Sequence, residues 1–370
     1  MMKAKSLNLI PFLLLVLVTF FVQRCGEKDN SSIPNGENKV DLNAIIEGWE
    51  ISKHELSFAT DFIPRDMYFT NPETGFVVGF NGYIYKTTDA GNSWKQQNSG
   101  TTLHLYSVFF VDENVGFVSG RAMGGCLDDD CDKGSIFLKT TDGGKTWEKT
   151  FFDDYTAILC LHFFDNMNGL AIFITNYTTP NTKNIYIAKT SNGGDNWELL
   201  NLNNHYATEQ FYCFDNIVYV IGDNQEIFKS KDQGNTWETI HTPLSAWDEV
   251  LDIYFYNENI GYINGATNIY KTVDGGLNWK IVDFPFSLFH LFHFYNEKEG
   301  FDIEQISEYE GGDFPTYKGC IGYHTYDGGA NWKKSELTYV NLGYIYFVQP
   351  DLGYGINGSE FFTIKRSETQ

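Results

Sequence analysis

Positive charge is what this chain has least of. Its 370 residues carry 26 Lys and Arg against 48 Asp and Glu, a formal net charge of −22. Arginine is scarcest: beyond residue 24 only Arg65, Arg121 and Arg366 remain. So acidic a chain is a poor nucleic-acid binder, because that binding depends on neutralising phosphates. It is equally ill suited to broad contact with an anionic membrane surface. Six cysteines at this length exclude a small disulfide-framework protein. No long amphipathic helical pattern occurs, and no nucleophile elbow, His-Glu-x-x-His or phosphate loop. In quantity the chain has 31 Phe, 23 Tyr and 35 Gly. Aromatic side chains suit the pleated surface of strands, and frequent glycine suits many tight turns.

At the N-terminus Lys3 and Lys5 precede an apolar run from Leu7 to Val22, interrupted by Asn8, Pro11 and Thr19. The run is shorter than the ~20 residues that span a bilayer and reads as a secretory signal. Cys25 follows, then a polar stretch to Lys39. The arrangement resembles a bacterial lipoprotein signal, with Cys25 the lipidated mature N-terminus, although Gln23 and Arg24 stand where that pattern prefers small residues. Ordinary cleavage nearby and an uncleaved anchor are the alternatives. The expected division is a signal over 1–24, a flexible linker over 25–45 and one domain over 46–366. The domain is then exported and held at a bacterial membrane, in the periplasm or at the cell surface, through a lipid anchor alone.

Six eight-residue segments repeat along that domain: Thr87 to Trp94, Thr140 to Trp147, Thr190 to Trp197, Ser230 to Trp237, Thr272 to Trp279 and Thr325 to Trp332. Each holds a carboxylate or amide in third place (Asp89, Asp142, Asn192, Asp232, Asp274, Asp327) and closes on Trp94, Trp147, Trp197, Trp237, Trp279 or Trp332. The acid can accept the turn's own N–H groups, glycine supplies a positive φ, and the tryptophan opens the next strand with a large apolar face. A second motif precedes each box, a strand ending in a polar residue and then Gly with an aromatic or Leu, as in Asp112 to Gly116-Phe117. It recurs seven times, shortened once at Asp215-Asn216. Units of roughly 40–53 residues, each reading as four strands, are propeller blades. The last unit lacks a box, and Gly48-Trp49-Glu50-Ile51 copies the start of an outer strand. The expectation is an all-β, seven-bladed β-propeller whose last blade is closed by the N-terminal strand.

The boxes resemble the Asp-box, or BNR, repeat of sialidase-like propellers. Their spacing, with the Gly-aromatic turns, resembles proteins similar to the photosystem II stability and assembly factor. That resemblance implies a non-catalytic cell-envelope helper that binds a partner; the alternative is a carbohydrate-active propeller, a glycosidase or a lectin. Sialidase chemistry needs three arginines converging on a substrate carboxylate, and the strand positions of Arg65, Arg121 and Arg366 predict that they do not converge. No catalytic residue is therefore expected. His290 and His293, three apart on one strand, read as ordinary strand histidines on opposite faces.

Strand parity puts the boxes on one face and the irregular insertions, Arg121 to Gly134, Asn176 to Asn184 and Glu304 to Gly319, on the other. Variable loops on a regular scaffold are where binding resides. The first insertion carries Asp128, Asp129, Asp130 and Asp132, and the last Glu304, Glu308, Glu310 and Asp313. His104, Tyr106, Tyr155, Tyr206, Trp247 with Asp248, Phe289 and Tyr339 rim the same face. An acidic, aromatic-rimmed mouth suits a protein or glycan ligand on a monomer; solvated loops around packed strand ends are the bland alternative. No cofactor is expected. Asp128, Asp130 and Asp132 are a weak Ca²⁺ candidate without EF-hand spacing, Cys126 and Cys131 a candidate short disulfide across that loop, and Cys160 and Cys213 buried thiols.

Overall fold

Aromatic strands and box turns alternate along the chain, and the fold follows that alternation. A computed structural model describes residues 48–367 except 56–57, 122–133, 176–184, 201, 203–206, 223–225, 243, 245–249, 266–267, 283–291, 309–315, 336–341 and 359. The described residues form seven four-stranded antiparallel sheets. Six are built from four consecutive strands each. The seventh takes Tyr344–Gln349, Leu352–Asn357 and Glu360–Arg366 from the C-terminal end and Trp49–Glu55 from the N-terminal end. Register runs from Trp49 opposite Arg366 to Glu55 opposite Glu360. Trp49 is 1% exposed, edge-on to Tyr295, Phe301, Phe347 and His293. The seventh sheet is therefore completed by the N-terminal strand, as the Trp-Glu copy predicts.

The Gly-aromatic motif makes the blade-to-blade core. In blade 2 the inner strand ends on Phe110, which lies opposite Gly116. A Cβ on Gly116 would come within 2.3 Å of the Phe110 ring. Glycine thus lets the ring lie flat over the backbone, where Phe76 of blade 1 stacks on it at 4.0 Å and 16°. The same contact joins Phe117 to Phe163, Tyr219 to Phe255, Tyr262 to Phe294 and, across the closure, Tyr354 to Phe69. Offset stacks of this kind add to the burial itself. The shortened motif departs from this in a consistent way. In blade 4 the position opposite the second strand is Cys213, its partner is Val218 rather than glycine, and Leu170 fills the aromatic's place in blade 3. Cys160 and Cys213 are half-buried rather than buried; burial raises the Cys213 thiol well above its usual value.

Each box is a closed hydrogen-bonding unit. In the second, Asp142 accepts the Thr146 N–H at 2.9 Å and the hydroxyls of Thr140 and Thr146, and Thr140 Oγ1 accepts the Gly144 N–H. Gly144 sits at φ +81°, where an L side chain is strained. The Gly143 N–H donates to the Asn114 carbonyl in the first turn of the same blade, so both turns occupy one face. The box tryptophans differ from expectation. Each precedes its outer strand by one residue and is half-buried, because the short outer strands cover only one side of the indole. The third insertion also differs. Gly300–Glu308 and Thr316–Thr325 extend into it as strands, and Glu304 is 8% exposed with its carboxylate accepting the Tyr323 hydroxyl at 2.6 Å. A longer hairpin has turned that acid into the blade.

Candidate functional site

The face opposite the boxes carries a cationic cluster at blades 1 and 2. It begins with Pro64 and Arg65 at the start of the inner strand Pro64–Phe69. Proline is tolerated there, since a strand's first residue need not donate. Register slips between Pro64 and Asp66, leaving Arg65 as the extra residue of a β-bulge. In blade 2 the slip falls between Leu105 and Ser107, which makes Tyr106 the bulged residue. Bulges re-aim side chains, and these two meet: the Arg65 guanidinium carbon is 5.0 Å from the Tyr106 ring centre and 4.4 Å from Phe80. Phe80 and Tyr106 are 6.2 Å apart, so Arg65 fills the corner between them.

Arg121 ends the second strand of blade 2, directly across from His104, and its guanidinium lies 5.2 Å from the same Tyr106 ring. Arg65 and Arg121 thus both approach the Tyr106 ring, because an inner-strand start in one blade abuts the second-strand end of the next, while the three arginines together do not converge. Arg366 lies elsewhere, bonded to Glu299 at 3.1 Å and over Tyr295. His104 stacks on Phe80 at 4.0 Å and 11°. Its Nδ1 accepts the Asn81 N–H at 3.1 Å, which places the ring proton on Nε2. Burial, then Arg121 and Arg65, push its pKa down to about 4, so His104 is neutral at pH 7 and Nε2–H is a donor.

Arg65 is 8% exposed, and its Nε and Nη1 are buried with no hydrogen-bond partner among the described residues. Such donors cost about 1–3 kcal/mol each when unsatisfied. The neighbouring Asp66 does not meet them. Its carboxylate accepts the Val108 and Met67 N–H groups and the Ser107 hydroxyl, tying blade 1 to blade 2, and burial raises its pKa to about 6.

The other expected rim residues divide. Tyr155 is half-buried and packs edge-on against Phe173 at 4.7 Å, a blade contact. Of the two strand histidines, His293 is buried, stacked on Phe347 at 3.5 Å with Nε2 on the Pro350 carbonyl. Tyr206, Trp247, Asp248, Phe289, His290 and Tyr339 lie outside the described residues, as do Cys25, the Cys126 and Cys131 pair and the Asp128, Asp130 and Asp132 calcium candidate. Phe80 and the bulge were missed by sequence reasoning. The one available signal was the rarity of arginine, two of whose four copies meet here.

Against known proteins, the family model of the photosynthesis system II assembly factor YCF48 matches residues 43–130. A photosystem II assembly lipoprotein Ycf48 from Synechococcus sp. (strain CC9902) is 28% identical over 102 residues, 26% of this chain and 27% of that protein. The matched stretch thus spans about a quarter of that relative. Two solved structures share the fold. YCF48 bound to D1 peptide covers 88% of this chain and 98% of its own at 19% identity and a TM-score of 0.61. YCF48 from Cyanidioschyzon merolae covers 86% and 99% at 16% identity and the same TM-score. The resemblance drawn from the boxes and turns holds: in sequence over 43–130, and in fold around the whole ring.

Proposed function

We propose that this chain is a non-catalytic envelope propeller of the assembly-factor kind, exported, tethered through Cys25 and the 25–45 linker, and binding a protein partner on its insertion face. The observation that carries this reading is the contrast between the two faces. On the box face the turn acids are occupied by their own turns, as Asp142 is by Thr140 and Thr146. On the other face the Arg65 Nε and Nη1 are buried with no acceptor among the described residues. The acids of the 122–133 stretch follow Arg121, the last residue of the Gly116–Arg121 strand, along the chain, and their like charges repel one another and favour a cationic group or Ca²⁺. A YCF48 ring holding a D1 peptide is a precedent for peptide capture on this scaffold.

The test is partner capture from solubilised membranes, read by mass spectrometry, with the intact chain and two variants. Replacing Asp128, Asp129, Asp130 and Asp132 by Asn should weaken capture, and raising salt should do the same to the parent, because exposed charges are screened within ~10 Å at 0.1 M. Reversal of the exposed box-face Lys145 to Glu should leave capture intact. Loss of capture with Lys145→Glu alone would overturn the face assignment. A melt with and without Ca²⁺ tests the ion on the same variants.

A further inference from the structure

We propose that the box turns of blades 5 and 6 rest on the surface of a lipid bilayer, a second contact beside the anchor at Cys25. The second and sixth places of all six boxes are exposed. In boxes 1 to 4 polar residues fill them: Thr88 and Asn92, Thr141 and Lys145, Ser191 and Asp195, Lys231 and Asn235. In box 5 they are Val273, 65% exposed, and Leu277, 79% exposed. Ile281, on the outer strand that follows, is exposed as well, and Tyr326 holds the second place of box 6 at 50% exposure. One exposed apolar side chain means little, whereas a group of them marks a contact surface. Charge changes at the same two boxes. The residue after the tryptophan is Glu148, Glu198 or Glu238 in boxes 2 to 4 and Lys280 or Lys333 in boxes 5 and 6. Box 1 shares the lysine, as Lys95, but not the apolar turn. A lysine beside an apolar patch lays its stem along it and keeps the ammonium at the level of lipid phosphates.

Hydrogen bonds trace a short path to these turns from Gly48, where the chain enters the last blade. The Gly48 carbonyl accepts the Ser367 N–H, and the Arg366 N–H donates to the Asp351 carbonyl in the first turn of blade 7. The Arg366 side chain bonds Glu299 in the first turn of blade 6. Lys298, beside it, accepts the Gly328 N–H of box 6, and the Gly328 carbonyl accepts Lys271 Nζ, one residue before box 5. First turns and boxes share a face, so Gly48 lies on the box face next to the two apolar boxes. Positions 26–47 join it to Cys25 and, as a flexible chain, span roughly 26 Å. A lipid on Cys25 holds these boxes near the bilayer at an effective concentration on the order of millimolar, which suffices for a small patch. The net charge of −22 opposes broad contact with anionic lipid, so the contact is confined to these turns. The insertion face is then turned away from the bilayer.

The experiment places the full-length chain, purified from membranes, on phosphatidylcholine vesicles that carry a photoactivatable phospholipid, and maps the crosslinked peptides by mass spectrometry. Crosslinks should gather at 273–281 and 326–334 and be sparse at 141–149. Val273→Thr with Leu277→Asn gives box 5 the residues of box 1, so the fold should persist, as a thermal melt checks. Crosslinking at box 5 should then fall about tenfold, because the gain from leaving water scales with apolar area. Adding phosphatidylglycerol should raise the yield at box 5 more in the parent than in Lys280→Glu; an equal rise would overturn the role of the lysine. Three results would overturn the contact: crosslinks spread evenly over the six boxes, a box 5 yield unchanged in the folded double variant, or a dimer in detergent that the double variant dissolves, which would assign the patch to a second copy. The proposal rests on the tether through Cys25, and the mass of the N-terminal peptide reports that tether separately. Cys25 without lipid would overturn tether and contact together. A lipidated chain that captures its partner yet shows no crosslinks at box 5 would overturn the contact alone.

Discussion

Lys86 Nζ donates to the Gly143 carbonyl at 2.7 Å, so the residue before one box clasps the turn of the next. Lys229 does the same to Gly275 at 2.8 Å, and Lys271 to Gly328. Each amine also lies over the aromatic of its own blade's second strand, at 5.2 Å for Phe76, 5.1 Å for Tyr219 and 5.5 Å for Tyr262. Burial lowers the pKa of all three lysines. A feature that reads as strand polarity is thus a clasp between blades.

Lys229 is 5% exposed, and Lys229→Met should destabilise the ring by about 1.5–3 kcal/mol, the range for a hydrogen bond to a charged group. Urea unfolding measures it. A midpoint equal to the parent's would show that the clasp contributes nothing.

Tryptophan position should grade the cost of truncation. Trp49→Ala removes a fully buried ring from the closure and should cost roughly 3–5 kcal/mol. Trp147→Ala removes a half-buried one and should cost less, about 2–3 kcal/mol. Thermal melts of both variants check the order, and a larger loss at Trp147 would contradict it.

Blade 4 offers a coupled test. Cys213→Phe places a ring against Val218, and overpacking of this kind costs about 1–3 kcal/mol. Val218→Gly alone loses a buried side chain. Together they rebuild the motif of the other blades, so the double variant should be more stable than the sum of the singles predicts, by an interaction energy of about 1–2 kcal/mol. A double-mutant cycle in denaturant reads it directly; additivity would sink the account of the Phe-over-Gly contact.

Acid should weaken the fold in a defined window. Burial, against the hydrogen bond to Pro350, depresses His293 to about 4, while an unfolded histidine titrates near 6.5. Its stabilising contribution is therefore present above about pH 6.5 and lost as pH falls through about 4. Asp66 acts in the opposite sense. Burial raises its pKa to about 6, so its contribution is full below its unfolded value of 3.8 and lost as pH rises through about 6. His293→Phe should flatten the acid limb between pH 6.5 and 4, and Asp66→Asn should steepen it. Denaturant midpoints across that range decide the matter, and parallel profiles for all three proteins would refute both assignments.

The sequence by itself determined the blade count, the turns and the closure, because each rests on local chemistry repeated at short range. A box needs only Thr140, Asp142, Gly144 and Thr146, all within seven residues, and Trp49 announced the missing outer strand by copying Trp147-Glu148. Strand parity likewise separated the two faces without any coordinates. Three things only the tertiary structure decided. Register slips at Arg65 and Tyr106 turned two unrelated-looking residues toward each other, and a one-residue slip leaves no mark in an aromatic-rich strand. Glu304 was drawn from an apparent loop into a lengthened hairpin. The approach of Arg65 and Arg121 to one tyrosine ring depends on how the ring brings separate sheets side by side, and those two residues are far apart along the chain. Periodic turn chemistry is written locally, whereas a site assembled between blades exists only once the ring has closed.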